Sequence, residues 1–228
     1  MRFISKRFKE AKNLVQDKVY SLEESIELLK KTATAKFIES SEVHFCLNLN
    51  PKYADQQLRA TVILPHGTGK DIRVVAIASS ESGLKANELG VERIGSEDLI
   101  EQINQGYTDF DVLIAEPDMM PKIAKLGRIL GPKGLMPSPK AGTVTKDIKA
   151  AVQEFKRGKL EYRVDKTGIV HINFGKINFT TKQLQENLST IYKSILQNKP
   201  TGVKGKYLKR IYICSSMGPS IEVDYSVI

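Results

Sequence analysis

Two runs in the middle of the chain, Ile72-Arg73-Val74-Val75-Ala76-Ile77-Ala78 and Asp111-Val112-Leu113-Ile114-Ala115, are apolar almost without interruption. A strand with one wet face alternates apolar and polar residues, whereas one that does not alternate is covered on both faces. Helical patterns accompany these runs: one near Leu84 to Leu89, one from Ser96 to Gln105, and one led by Thr143-Val144-Thr145 and running to about Lys156. The order strand, helix, helix, strand, helix predicts a small parallel-sheet α/β unit, Rossmann-like in architecture. No G-x-G-x-x-G follows its first strand, so the architecture assigns no dinucleotide.

The flanks have a different texture. Glu42 to Leu49 alternates, with Val43, Phe45, Leu47 and Leu49 on one face and Glu42, His44, Cys46 and Asn48 on the other. Leu58 to Leu64 reads as a second strand, and Leu160–Val164 and Ile169–Phe174 flank Asp165-Lys166-Thr167-Gly168 as a short hairpin. Tyr207–Ile213 and Ile221–Tyr225 are the last two strands. Helices are expected over Arg2–Lys18, basic and amphipathic, and over Leu22–Lys31 behind the capping box Ser21 to Glu24. A third, capped by Thr180 or Thr181, carries Leu184, Leu188, Ile191, Ile195 and Leu196 on one stripe. The predicted class is therefore an α+β domain split between residues 1–67 and 159–228, with an α/β domain inserted over 68–158. Gly67, Gly69 and Gly158 stand at the two crossings and form a hinge in this reading.

Charge narrows the partner. The 228 residues carry a net charge of +9, which suits a polyanion. Residues 70–159 hold 14 Lys and Arg against 13 Asp and Glu, and the flanks hold 21 against 13, so the excess belongs to the split domain. Within the insertion, Met119 to Lys146 has no acidic residue, and Lys122, Lys125, Arg128, Lys133 and Lys140 form a secondary basic patch there. Leu64 to Asp71 fails as a P-loop, since it lacks the first glycine and the Ser or Thr for magnesium. His44 and Cys46 share a strand face, but no second pair at zinc-ligand spacing accompanies them, so no metal and no cofactor is expected. The two cysteines, Cys46 and Cys214, are read as reduced thiols, because no secretory signal precedes them. No apolar stretch approaches the length of a membrane span.

The most distinctive stretch is Cys214-Ser215-Ser216-Met217-Gly218-Pro219-Ser220, a small, polar, stiff turn between two strands. By itself it is an ordinary hairpin turn. Together with Ala35–Glu39, Leu64–Lys70, Leu126–Pro137 and Asp165–Gly168, in that order, it resembles the large-subunit ribosomal protein L-one family, proteins of the mobile stalk beside the tRNA exit site. Ser216 stands where that family usually has Thr; Ser40 and Cys46 stand where it often has Thr and Lys. The resemblance implies a protein without chemistry of its own, monomeric within the ribosome, that binds the stalk of large-subunit rRNA and assists release of deacylated tRNA at the exit site. It also implies, for some members, repression of their own mRNA. The RNA-binding residues carried over are Lys36, Phe37, Ser40, Glu42, Asp165, Lys166, Thr167, Ser216, Met217, Gly218 and Pro219. The overall look resembles plastid forms, which implies ribosomes of the chloroplast stroma, with the bacterial cytoplasm as the alternative. The rival reading from the residues alone is an α/β enzyme holding a phosphate-bearing ligand at the glycines of 127–134; a membrane-surface protein, resting on the N-terminal helix, ranks behind it.

Overall fold

The computed structural model describes residues 5–79, 90–203 and 205–225. In chain order its longer elements are α1 (Lys6–Asn13), α2 (Leu22–Thr32), β1 (Ser40–Leu47), β2 (Arg59–Ile63), β3 (Val74–Ile77), β4 (Arg93–Gly95), α3 (Glu97–Asn104), β5 (Val112–Ala115), α4 (Gly127–Lys133), α5 (Ile148–Lys156), β6 (Lys159–Arg163), β7 (Ile169–Lys176), α6 (Thr181–Gln197), β8 (Leu208–Ser215) and β9 (Ile221–Val223). The chain divides into two compact units, residues 1–69 with 160–228 and residues 70–159. The helix expected near Leu84 to Leu89 lies outside the described residues. Among the described residues no helix is long and apolar enough to cross a membrane.

The first unit is built on a four-stranded sheet in the order β7-β1-β8-β9, antiparallel throughout. β1 is central, and its alternation sorts Val43, Phe45 and Leu47 into the core while Glu42, His44 and Cys46 stay partly exposed. Helices α2 and α6 cover the buried face with Ile26, Leu29, Leu184, Leu188, Ile191 and Ile195, while on the polar face Phe8 and Lys12 of α1 reach Arg210 and Tyr212 at the β8 side. Both helices start on capping boxes, Ser21 with Glu24 and Thr180 with Gln183.

In this unit two expectations need correction. The N-terminal helix is not continuous to Lys18: it ends at Asn13 because Tyr20 must be extended to exchange backbone hydrogen bonds with the end of β9, at 3.0 Å to Glu222 O and 2.8 Å from Asp224 N. The strands beside Asp165–Gly168 do not form a hairpin ladder. After a single bridge between Val164 and Val170, β6 turns to pair with β2 and β7 with β1, so the turn joins two sheets.

The second unit contains a three-stranded parallel sheet, β4-β3-β5. Its central strand is buried at every residue, and the alternation reappears as a division between two cores. Val75 and Ile77 pack with Leu99 and Ile103 of α3, and Val74 and Ala76 with Ile148, Val152 and Phe155 of α5. Residues 143–145 do not lead into α5; Val144 bridges to Ala115 beside β5, and the helix starts behind Asp147, whose side chain accepts from Ala150 N.

Candidate nucleic-acid interface

At the start of β1, two loops distant in sequence are fastened together by one buried carboxylate. Glu39 is 2% exposed, and its two oxygens accept from the backbone amides of Ala35 at 3.0 Å and Met217 at 2.9 Å. Burial opposes ionisation of this carboxyl, but the Ser215 side chain, the two amides and the Arg7 charge outweigh it and hold its pKa below the usual value. Ser216 completes the joint: its amide donates to Ser40 O and its hydroxyl accepts from Ser40 N, both at 3.1 Å. Lys176 Nζ donates to Ser40 Oγ at 2.8 Å, and Arg7 reaches Met217 O at 3.3 Å.

This frame turns apolar side chains outward. Phe37 is 57% exposed, Ile38 60% and Met217 51%, which is unusual for three large apolar residues on loops locked to each other. Lys36 and Ser216 are exposed beside them, and Pro219 is buried, so it stiffens the loop instead of presenting a surface. Gly218 needs no positive φ; a Cβ there would meet Ser215 Oγ at 2.5 Å, so a larger residue requires that hydroxyl to turn away.

Asp165, Lys166 and Thr167 lie toward the other end of β1, where Gly168 O accepts from Leu47 N at 3.0 Å. Seven residue steps of strand separate that end from Ser40, about 20 Å. Asp165 Oδ1 accepts from Thr167 N at 2.9 Å and Ile169 N at 2.7 Å, while the Thr167 hydroxyl donates to the carboxylate at 2.7–2.8 Å. Desolvation works against the charge, yet the Thr167 hydroxyl, these amides and His171 pull the Asp165 pKa down to about 2. Lys166 and Thr167 are exposed at the tip.

Between the two loops runs the polar face of the sheet. His44 stands across from His171 and Tyr212, and Glu42 across from Cys214 and Asn173. His44 Nδ1 is 2.8 Å from His171 Nδ1, and His44 Nε2 is 3.1 Å from Cys214 Sγ. Burial first, and His171 second, lower the His44 pKa; burial, aided by the Glu42 charge, pushes the Cys214 thiol up to about 11. Phe8, Lys12, Lys18, Arg210 and Tyr212 line a cleft along the β8 side of this surface. Sequence reasoning missed Glu39, Arg7, Lys176, His171 and Cys214. Their partners lie 127 to 210 positions away, apart from the Glu39 contact to Ala35 and the His171 contact to Asp165, so local pattern signals little of the set.

The acid-free stretch is not a loop of cradling glycines. Short helical turns over Pro117–Met119, Met120–Ile123 and Ala124–Leu126 lead into α4, which contains Pro132 and ends at Gly134 in the left-handed region. Lys122, Lys125, Arg128, Lys133 and Lys140 are exposed; Lys122 pairs with Glu97 at 2.5 Å and Lys133 donates to Thr108 Oγ1. Gly67, Gly69 and Gly158 all have positive φ, at 65°, 70° and 104°.

A sequence model described as Ribosomal protein L1p/L10e family matches residues 29–219. The chain therefore belongs to that family, a class of non-enzymatic proteins of the large ribosomal subunit. Relatives in that class carry the name large ribosomal subunit protein uL1c or uL1. The chain is 58% identical to uL1c of Trieres chinensis over 228 residues, covering 100% of this chain and 99% of that one. It is 58% identical to uL1c of Guillardia theta over 226 residues, 99% and 97% of the two chains. It is 54% identical to uL1 of Prochlorococcus marinus (strain MIT 9215) over 228 residues, 100% and 97%. The resemblance carried by the five ordered motifs is thus met, and the enzyme reading of residues 127–134 falls with it.

Proposed function

We propose that this chain binds large-subunit rRNA through the polar face of the β7-β1-β8-β9 sheet and the two loops at its ends. The observation that carries the reading is the exposure of Phe37, Ile38 and Met217 on loops locked together by buried Glu39, within a part of the chain that holds most of the excess positive charge. Flat apolar groups on a stiff frame stack on bases or sugars, and the surrounding Lys36, Ser216, Lys166 and Thr167 suit phosphates and ribose hydroxyls. Glu42, Ser40, Asp165, Gly218 and Pro219 set the geometry of those contacts. In this reading residues 1–67 with 159–228 are the binding domain, the α/β insertion adds the patch Lys122 to Lys140, and Gly67, Gly69 and Gly158 let the two move. Holding a mobile rRNA stalk beside the exit site, the protein assists release of deacylated tRNA, and it represses its own mRNA where that RNA copies the stalk. The uL1c relatives support ribosomes of a plastid; the cyanobacterial ones support a bacterial cytoplasm as the alternative.

The test is a titration of the full chain with its stalk rRNA from low to moderate salt. Log affinity falls linearly with log salt, by about 0.7 to 0.9 per phosphate contact. Met217→Ala weakens binding by about 10- to 100-fold, the equivalent of about 1–3 kcal/mol of lost apolar contact. A flat salt response, or equal affinity for an unrelated duplex, overturns the reading.

A further inference from the structure

On the same polar sheet face, Glu42, His44 and Cys214 each turn one ligand atom toward the others, and those three atoms all lie within 4.8 Å of one another. The strand register dictates the grouping. Glu42 of β1 stands directly across from Cys214 of β8, and His44 follows two residues later on the same face. Because β1 is paired on both sides, the backbone positions of the trio are fixed.

We propose that Glu42, His44 and Cys214 form a binding site for a zinc-type divalent transition metal, with water as the fourth ligand. Carboxylate, imidazole and thiolate are all zinc ligands, and the mix of hard and soft donors excludes magnesium and calcium, which take oxygen. Bonds of about 2.3 Å to sulfur and about 2.0 Å to nitrogen at a tetrahedral angle hold those two atoms about 3.6 Å apart. The observed 3.1 Å between Cys214 Sγ and His44 Nε2 has to open by only about half an ångström.

The outer contacts are of the kind that orient a ligating histidine. His44 Nδ1 lies 2.8 Å from His171 Nδ1, and His171 Nε2 faces Asp165 Oδ2 at 3.6 Å. With the His44 proton on Nδ1, donated to His171, the Nε2 lone pair is left pointing at Cys214, and His171 turns its own N–H toward the carboxylate. Without metal, the thiol proton sits between Sγ and Nε2. On binding, that proton leaves to solvent, the sulfur bonds the metal as thiolate, and no electron is transferred. This proposal stands independently of RNA binding, although all three ligands lie on the sheet face proposed for RNA.

Titration of the reduced full-length protein with cobalt(II) tests it. One equivalent binds, producing a near-ultraviolet thiolate-to-cobalt charge-transfer band that zinc then abolishes. Cys214→Ser removes the band, and His171→Phe, which strips the outer contact, weakens binding by about 10- to 100-fold. His44→Gln and Glu42→Gln also weaken it, which keeps the test decisive should Cys214→Ser not fold. Cys46→Ser, whose sulfur is on the same face but outside the trio, leaves the titration unchanged. No charge-transfer band in the wild type, a band that survives Cys214→Ser, or one that is lost with Cys46→Ser, overturns the site.

Discussion

Glu39 is the residue on which the proposed interface depends, although it contacts nothing outside the protein. Its carboxylate satisfies two part-buried amides from loops beyond the end of the β1–β8 ladder, so Glu39→Ala leaves both without that acceptor and costs about 1–3 kcal/mol of stability, read as a lower urea midpoint. The same change frees the Met217 loop, so RNA affinity falls further than stability alone accounts for. Asp165 makes the parallel prediction for acid. Its folded pKa is depressed to about 2 and that of Glu39 is also lowered, so both contribute stability that is fully present above the ordinary carboxylate range near about pH 4 and lost as pH falls through the folded values. Urea midpoints therefore drop between about pH 5 and about pH 2, and Asp165→Asn loses less over that interval than the wild type. The role of Glu39 is not legible locally, since its meaning comes from Met217, 178 positions on, whereas Asp165 bonds Thr167 and Ile169, two and four residues away. Phe37, by contrast, reads from the sequence equally well as core or as contact, and its 57% exposure removes it from the core.

At the scale of elements, what the sequence reveals depends on whether an element's neighbours are implied by its own pattern. β1 was legible because a central strand with one covered face must alternate, and β3 because one covered on both faces must not. β4 was not legible: Arg93-Ile94-Gly95 offers one apolar side chain, and it is a strand only because β3 supplies a parallel partner. The Asp165–Gly168 turn was legible as a turn but not as a junction, since which sheet each arm joins is decided by β1 and β2. That junction makes Gly168 a sensitive position. Its φ is +85°, and an added Cβ would sit 3.0 Å from Leu49 O and 3.3 Å from Leu47 O, backbone atoms that cannot rotate away. Gly168→Ala thus costs at least the left-handed penalty of about 1–2 kcal/mol. Thermal unfolding reports that loss, and RNA affinity falls with it as Lys166 and Thr167 shift; an unchanged melting temperature contradicts the argument.

At the scale of the whole chain, each unit has its own core. One core draws on residues from Tyr20 to Leu64 and from Tyr162 to Val223, and the other two draw only on residues between Val74 and Phe155. The change of texture and charge at Gly67 and Gly158 is the sequence trace of that division. The strands nearest the two crossings, β2 before the first and β6 after the second, pair with each other, so the chain leaves and returns along neighbouring strands. A short glycine linker can close such a gap, since the entropic cost grows only with the logarithm of loop length. Residues 1–67 fused to 159–228 should then fold, because the fusion keeps every side chain of its core, including both helices over the sheet. It should also keep specific affinity for the stalk rRNA, because the loops at 36–42, 165–167 and 216–219 and most of the excess charge remain. The loss comes from Lys122 to Lys140 and is non-specific, so it shrinks as salt rises while discrimination against a scrambled RNA persists. Calorimetry with both RNAs on the fusion, once circular dichroism shows it folded, decides the matter: equal affinity for the two moves recognition into the α/β insertion and removes the role proposed for the polar sheet face.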